Sequence, residues 1–119
     1  MDVEYRQRVS TPFREFHITD NEHYEDEVEF DHDTVDFCWV PKPDTARMTC
    51  YVKLFDAQTL AELTNANGEL VVNANDTQRQ WMSFSGFGWH DAAMTMPITR
   101  CRYEAWIDGT ASIVVEMFV

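Results

Sequence analysis

From Arg100 to the last residue the chain alternates apolar and polar side chains with a period of two. Cys101, Tyr103, Ala105 and Ile107 interleave with Arg102, Glu104 and Trp106; Asp108-Gly109 interrupts; and Ile113, Val115, Met117 and Val119 resume the pattern. A repeat of two residues belongs to a strand with one buried face, so this stretch restricts the chain to folds that end in two strands. Read as a β-hairpin, it has two possible registers. A two-residue loop at Asp108-Gly109 sets Tyr103 opposite Val114 and Ala105 opposite Ser112, which mixes the faces. A three-residue loop, Ile107 to Gly109, with Gly109 in the left-handed conformation of a G1 bulge, pairs Ala105 with Ala111, Tyr103 with Ile113 and Cys101 with Val115, and sets Arg100 beside Glu116. The second register keeps one apolar face and is the one expected, with the chain ending inside its last strand.

The same period recurs upstream. Val28 and Phe30, then Val35, Phe37 and Trp39, read as two strands joined around Asp31-His32-Asp33. Pro41-Lys42-Pro43-Asp44 cannot sit in a central ladder and reads as a connection. Met48, Cys50, Val52 and Leu54 then line one face of a strand whose other face carries Thr49, Tyr51 and Lys53, and this strand is expected to be central. Asp56-Ala57-Gln58 turns the chain, Thr59 to Leu63 returns it, Asn65-Ala66-Asn67-Gly68 turns it again into Leu70-Val71-Val72, and Asn73 to Asp76 makes a further turn. Met82 and Phe84 alternate with Trp81 and Ser83 before the loop Ser85-Gly86-Phe87-Gly88-Trp89, and Asp91 to Met96 suits a single helical turn capped by Asp91 and stopped by Pro97. Short strands with almost no helical period indicate an all-β fold, an antiparallel β-sandwich, immunoglobulin-like or an open barrel, with at most one short helical turn. Residues 1–14 read as an N-terminal arm or edge segment and residues 15–119 as a single sandwich domain.

Charge narrows the partners. With 21 acidic and 9 basic residues the formal net charge is −12, which opposes direct binding to nucleic-acid phosphates or anionic lipid and favours a basic partner surface. No apolar run approaches the ~18 residues of a membrane span, and the polar opening from Met1 to Arg8 is unlike a signal peptide, so a soluble, unprocessed chain is expected. The acids crowd between Glu15 and Pro41, where there is no Lys or Arg. They read as the outward face of strands, with the carboxylates from Glu25 to Asp36 repelling one another across neighbouring strands, so that stability should rise with salt. Cys38, Cys50 and Cys101 lack metal spacing and lie in apolar runs, as reduced core cysteines or with a Cys50–Cys101 bridge.

Motifs for chemistry are scarce. His17, His23, His32 and His90 are scattered, and neither an HExxH pattern nor an H-x-E with a C-x-x-C is present. Asp31-His32-Asp33 with Glu29 lacks calcium-loop spacing, and Phe84-Ser85-Gly86 lacks the first glycine of a nucleophile elbow. No catalytic residue, cofactor or metal ligand is therefore assigned. The residues singled out for recognition are aromatic and acidic. Trp106 falls on the outer face of the last strand pair, Phe87 and Trp89 lie in a glycine-spaced loop, and Glu25, Asp26, Glu27 and Glu29 form the densest acidic run. Phe87 and Trp89 read either as an exposed contact or as plugs at one end of the sandwich.

Several elements resemble the small β-sandwich modules of tailed-bacteriophage virion proteins, those of tail, baseplate or fibre-attachment subunits. They are the strand and turn from Ala46 to Asp56, the return Leu60-Ala61-Glu62-Leu63, the Asn67-Gly68 turn, and the stretch from Arg102 to Gly109. The similarity runs over Asp33 to Val119 and is one of pattern; those modules carry a glycine where this chain has Thr99-Arg100-Cys101. The resemblance implies a non-enzymatic structural or adaptor subunit that binds other virion proteins, or further copies of itself, through loops and the terminal arm. It also implies a location in the virion, and in the host cytoplasm before assembly. The alternative from charge is an acidic mimic of nucleic acid, of the anti-defence type, whose carboxylates occupy a basic groove in a steeply salt-dependent way. A carbohydrate- or metal-binding sandwich is a third reading.

Overall fold

The computed structural model describes residues 11–20, 22–87 and 99–119. Over these the chain forms eight strands: β1 (Arg14–Thr19), β2 (His23–Phe30), β3 (Val35–Val40), β4 (Met48–Asp56), β5 (Glu62–Val72), β6 (Gln80–Phe84), β7 (Thr99–Asp108) and β8 (Ser112–Phe118). They make two four-stranded sheets, ordered β1-β8-β3-β6 and β2-β7-β4-β5. Every neighbouring pair is antiparallel. The fold is thus the expected β-sandwich and, since no strand pairing among the described residues joins the two sheets, it is not a closed barrel.

The topology is more specific. Only β4 and β5 are consecutive in chain and adjacent in a sheet; every other connection passes from one sheet to the other. The pairs β1·β8, β2·β7, β3·β6 and β4·β5 are those of one long hairpin whose tip is the β4–β5 turn. Winding that hairpin into two layers adds β3·β8 and β4·β7. This is the jelly-roll arrangement, whereas an immunoglobulin-like sandwich groups its strands differently.

Two expectations are corrected here. The strands of the closing stretch form where alternation places them, but they do not pair: β7 lies between β2 and β4, and β8 between β1 and β3. Tyr103 and Ile113 therefore face each other's sheets across the core instead of lying side by side, and Glu116 pairs with Glu15 and Cys38, not with Arg100. Burial is the same either way, since both strands turn their apolar sets inward. Gly109 makes the crossing possible: its φ is +138°, and a Cβ there would stand 2.9 Å from Met48 Cβ and 3.0 Å from both the Arg47 carbonyl oxygen and Met48 Cα. The second correction concerns Asn67-Gly68, which is no turn but part of β5, paired with Lys53 and Val52. Glycine serves there because Met82 Sδ and the Phe84 ring approach within 2.8 Å of where a Cβ would stand.

Other local expectations hold. β4 is central, with Met48, Cys50, Val52 and Leu54 buried, and the turn after it is built by Asp56. The Asp56 carboxylate accepts the amide N–H groups of Gln58 and Thr59 at 2.9 Å. β1 begins at Arg14, and Phe13 already donates its N–H to the Met117 carbonyl, so the sandwich starts slightly before residue 15. Most of the proposed arm, and the helical turn from Asp91 to Met96, lie outside the described residues.

The core is the joined inner faces of the two sheets. Trp39, Tyr103, Phe37, Ile18, Leu54 and Ile113 are among its largest wholly buried side chains. Tyr103 is central to it, with ring centroids 5.5 Å from Phe37, 5.6 Å from Phe16 and 6.1 Å from Tyr24. All three cysteines are free and buried. A Cys50–Cys101 bridge is ruled out by register, because Cys50 stands opposite Ile107 and Cys101 opposite Asp56 at the two ends of the β4–β7 ladder. Burial pushes the thiols of Cys50 and Cys101 up to about 12, the neighbouring Glu27 adding to the shift of Cys101.

Candidate protein-interaction face

The outward face of the β2-β7-β4-β5 sheet collects the residues that suit recognition. Alternation turns Trp106 outward from β7, as expected, and the strand register then brings His23 of β2 beside it on one flank and Tyr51 of β4 on the other. The three rings form a ladder across the strands. His23 and Trp106 stack with centroids 4.9 Å apart and planes 7° apart, and Tyr51 and Trp106 at 5.1 Å and 12°. Cross-strand aromatic pairs of this kind stabilise a sheet, yet here they stand on its solvent side. Two hollows flank the ladder. One, of about 450 Å³, runs past Trp106 to Asp108 and Gly109, with Glu22 on its rim. The other, of about 390 Å³, lies toward β5, between Tyr51, Lys53, Asn67 and Glu69.

Toward the other end of the same face, charge replaces aromaticity. Glu25, Glu27 and Glu29 point outward from β2, as expected for a solvated acidic face, but the adjacent strand is not acidic. In register, Glu27 stands opposite Arg102 and Glu29 opposite Arg100. Arg100 Nε lies 3.0 Å from Glu29, and Arg102 bridges Glu25 at 3.1 Å and Glu104 at 2.7 Å. Both carboxylates, Glu25 before Glu104, raise the Arg102 guanidinium above its ordinary value. Arg102 also lies over the Phe55 ring at 5.4 Å. Glu25 stands opposite Glu104 in register, but Arg102 bridges the two and Arg100 holds Glu29, so the expected repulsion between neighbouring strands is offset by cations of β7.

Asp26 is different again. It points between the sheets, where Tyr103 donates its hydroxyl to Asp26 Oδ2 at 3.4 Å and Arg14 Nε reaches the same oxygen at 3.4 Å. Burial, then the nearby Asp26 charge, pushes the Tyr103 hydroxyl well above its ordinary range. An inward-pointing charge on an edge strand discourages pairing with a further strand, so Asp26 ties β1 to β2 and guards that edge. It does not contribute to an outward acidic surface.

Phe87 is half-buried and packs edge-on against Phe30 at 5.2 Å and 88°, while its N–H donates to the Asp33 carbonyl. It closes one end of the sandwich instead of standing in water. Trp89 lies outside the described residues. Among the described residues no group of three His, Cys, Asp or Glu side chains is placed to hold a metal ion, and His32 is exposed beside Asp31. On the opposite sheet, Trp81 packs on Phe118 at 5.4 Å and Arg79 pairs with Glu116 at 2.9 Å.

Of the residues expected from sequence, the structure therefore brings Trp106 and the glutamates of β2 onto one face and separates Phe87 and Asp26 from it. Sequence reasoning passed over Tyr51 and His23. Tyr51 was legible as an outward residue of the Met48–Leu54 alternation, but nothing in the sequence signals that it stands beside Trp106. No protein-family model matches the chain, and no curated protein or solved structure is significantly similar to it.

Proposed function

We propose that the chain is a non-enzymatic structural or adaptor subunit of a tailed-bacteriophage particle and that it docks on a neighbouring subunit through the outer face of its β2-β7-β4-β5 sheet. The observation that carries the docking is the His23–Trp106–Tyr51 ladder, an aromatic centre between two hollows with ion pairs along one side. Protein interfaces are commonly built this way, with buried aromatic anchors at the centre and a charged rim that excludes water. The virion part of the reading rests on the pattern resemblance over Asp33 to Val119 and on fold-level analogy, since jelly rolls recur in viral capsid proteins as well as in lectins. An acidic mimic of nucleic acid fits less well, because Arg102, Arg100 and Arg14 already occupy Glu25, Glu29 and Asp26.

The test is incorporation. In particles grown from a genome lacking this chain, wild-type protein supplied in trans should be recovered in the purified particle. A Trp106→Ser/Tyr51→Ser variant should fold, as judged by circular dichroism, and be missing from the particle, because aromatic anchors commonly contribute ~2–4 kcal/mol each to binding. Full incorporation of the folded variant would move the contact elsewhere. Absence of the wild-type chain from particles would remove the virion reading.

A further inference from the structure

We infer that the hollow at the Gly109 end of this face receives an arginine side chain from a loop of the partner subunit. The inference rests on the docking reading above and specifies the chemistry of the partner. Its starting point is how the cations of the face are distributed. Arg100 and Arg102 are engaged by Glu29, Glu25 and Glu104 at one end of the sheet. At the other end, Glu22 and Asp108 border the 450 Å³ hollow, and among the described residues no lysine or arginine lines it and neither carboxylate has an ion-pair partner. Among the described residues the Glu22 carboxylate accepts the Thr19 hydroxyl alone. The hollow toward β5 differs, because Lys53 already supplies a cation there.

The shape of the aromatic wall narrows the occupant. Both faces of the Trp106 ring are taken, one by His23 and one by Tyr51, so Trp106 itself offers its ring edge, not an open face. A sugar that needs a flat stacking platform finds none on Trp106, and a cation seeking the negative face of a π system finds that face covered. What remains is the edge of the ladder beside Glu22 and Asp108, in a hollow whose lining is more polar than apolar. An arginine matches both parts: its methylene stem lies along apolar surface while the planar guanidinium donates several hydrogen bonds to carboxylate oxygens. Lysine offers a single, more strongly hydrated point charge and fits less closely. The formal charge of −12 on the whole chain draws a basic loop toward this face and repels an acidic one.

The experiment is a heteronuclear NMR titration of the isotope-labelled protein with capped Gly-Arg-Gly, Gly-Lys-Gly and Gly-citrulline-Gly peptides, followed at the Trp106 indole and Gly109 amide signals. Saturable shifts are expected with the arginine peptide, weaker ones with lysine and none with citrulline, which keeps the shape and loses the charge. Asp108→Asn with Glu22→Gln should weaken the arginine peptide by at least about tenfold while leaving the rest of the spectrum unchanged, because Asp108 is exposed and glutamine still accepts from Thr19. The inference is overturned if the shifts centre on Glu25, Glu27 and Glu29, if citrulline binds as well as arginine, or if the double substitution has no effect. Tighter binding of an oligosaccharide at the same signals would also overturn it. Failure here, with the Trp106→Ser/Tyr51→Ser variant still excluded from particles, would leave the docking reading standing. The expected titration, with that variant fully incorporated, would instead place the arginine partner outside the particle.

Discussion

Replacing Tyr103 with alanine should be among the most damaging changes available to this protein, and the structure gives the reason in three parts. The ring is wholly buried, it touches the rings of Phe16, Tyr24 and Phe37, and its hydroxyl reaches Asp26 between the sheets. Removing a buried aromatic costs about 3–5 kcal/mol, out of the ~5–15 kcal/mol that holds a domain folded. The unfolding equilibrium constant then rises by roughly a hundredfold to a few thousandfold. Tyr103→Phe separates the parts: the ring stays and the hydroxyl's contacts with Asp26 and Tyr24 are lost, so the expected cost falls to ~0.5–1.5 kcal/mol. Glu104→Ala, one residue away on the outward face, should cost far less, because its ion pair with Arg102 is only partly buried and Arg102 keeps Glu25. Urea titrations followed by tryptophan fluorescence, compared at a common slope, measure all three. Equal losses for Tyr103→Ala and Glu104→Ala would refute the placement of β7. A Tyr103→Phe loss as large as that of alanine would mean that the hydroxyl, not ring packing, joins the sheets.

Arg102→Gln should leave Glu25, Glu27 and Glu104 facing one another, so added salt up to roughly 0.5 M should raise its melting temperature more than that of the wild type; identical salt responses would show that the bridge does not hold the acids together. Asp56 has its carboxyl held below its ordinary 3.8, first by the Thr59 amide and then by that of Gln58. A lowered folded value stabilises the protein above the unfolded value and is lost as pH falls through the folded one, so the stability gap between wild type and Asp56→Asn should be open at neutral pH and close in acid. A gap that persists below pH ~2 would refute that origin. Gly109→Ala combines a φ of +138° with contacts of 2.9–3.0 Å to Met48 and Arg47 and should cost about 1–3 kcal/mol in the same urea titrations; a neutral result would mean the β7–β8 crossing can relax.

What the sequence by itself determined is most of the strands and which way their side chains point; β1 goes unread, and β5 reads as two pieces around a turn. Alternation is a property of each strand alone, so Tyr103, Ile113, Val52 and Phe37 are legible as core, and Trp106, Glu25 and Lys53 as surface, without knowledge of any neighbour. Turn chemistry is equally local where a side chain closes its own loop, as Asp56 does with Gln58 and Thr59. Pairing is different, because an inward-facing strand satisfies the same hydrophobic requirement beside its chain neighbour or across the sandwich from it. Only the packed structure chose the crossing at Gly109, where backbone meets Met48 and Arg47, and only it showed that Gly68 admits Met82 and Phe84 instead of forming a turn. The candidate site belongs to that second class. His23, Tyr51 and Trp106 come from three strands whose adjacency is set by the winding of the jelly roll. Glu25 and Glu29 of β2 are likewise paired with arginines because β7 was placed beside them, a long-range outcome that no period in the sequence encodes.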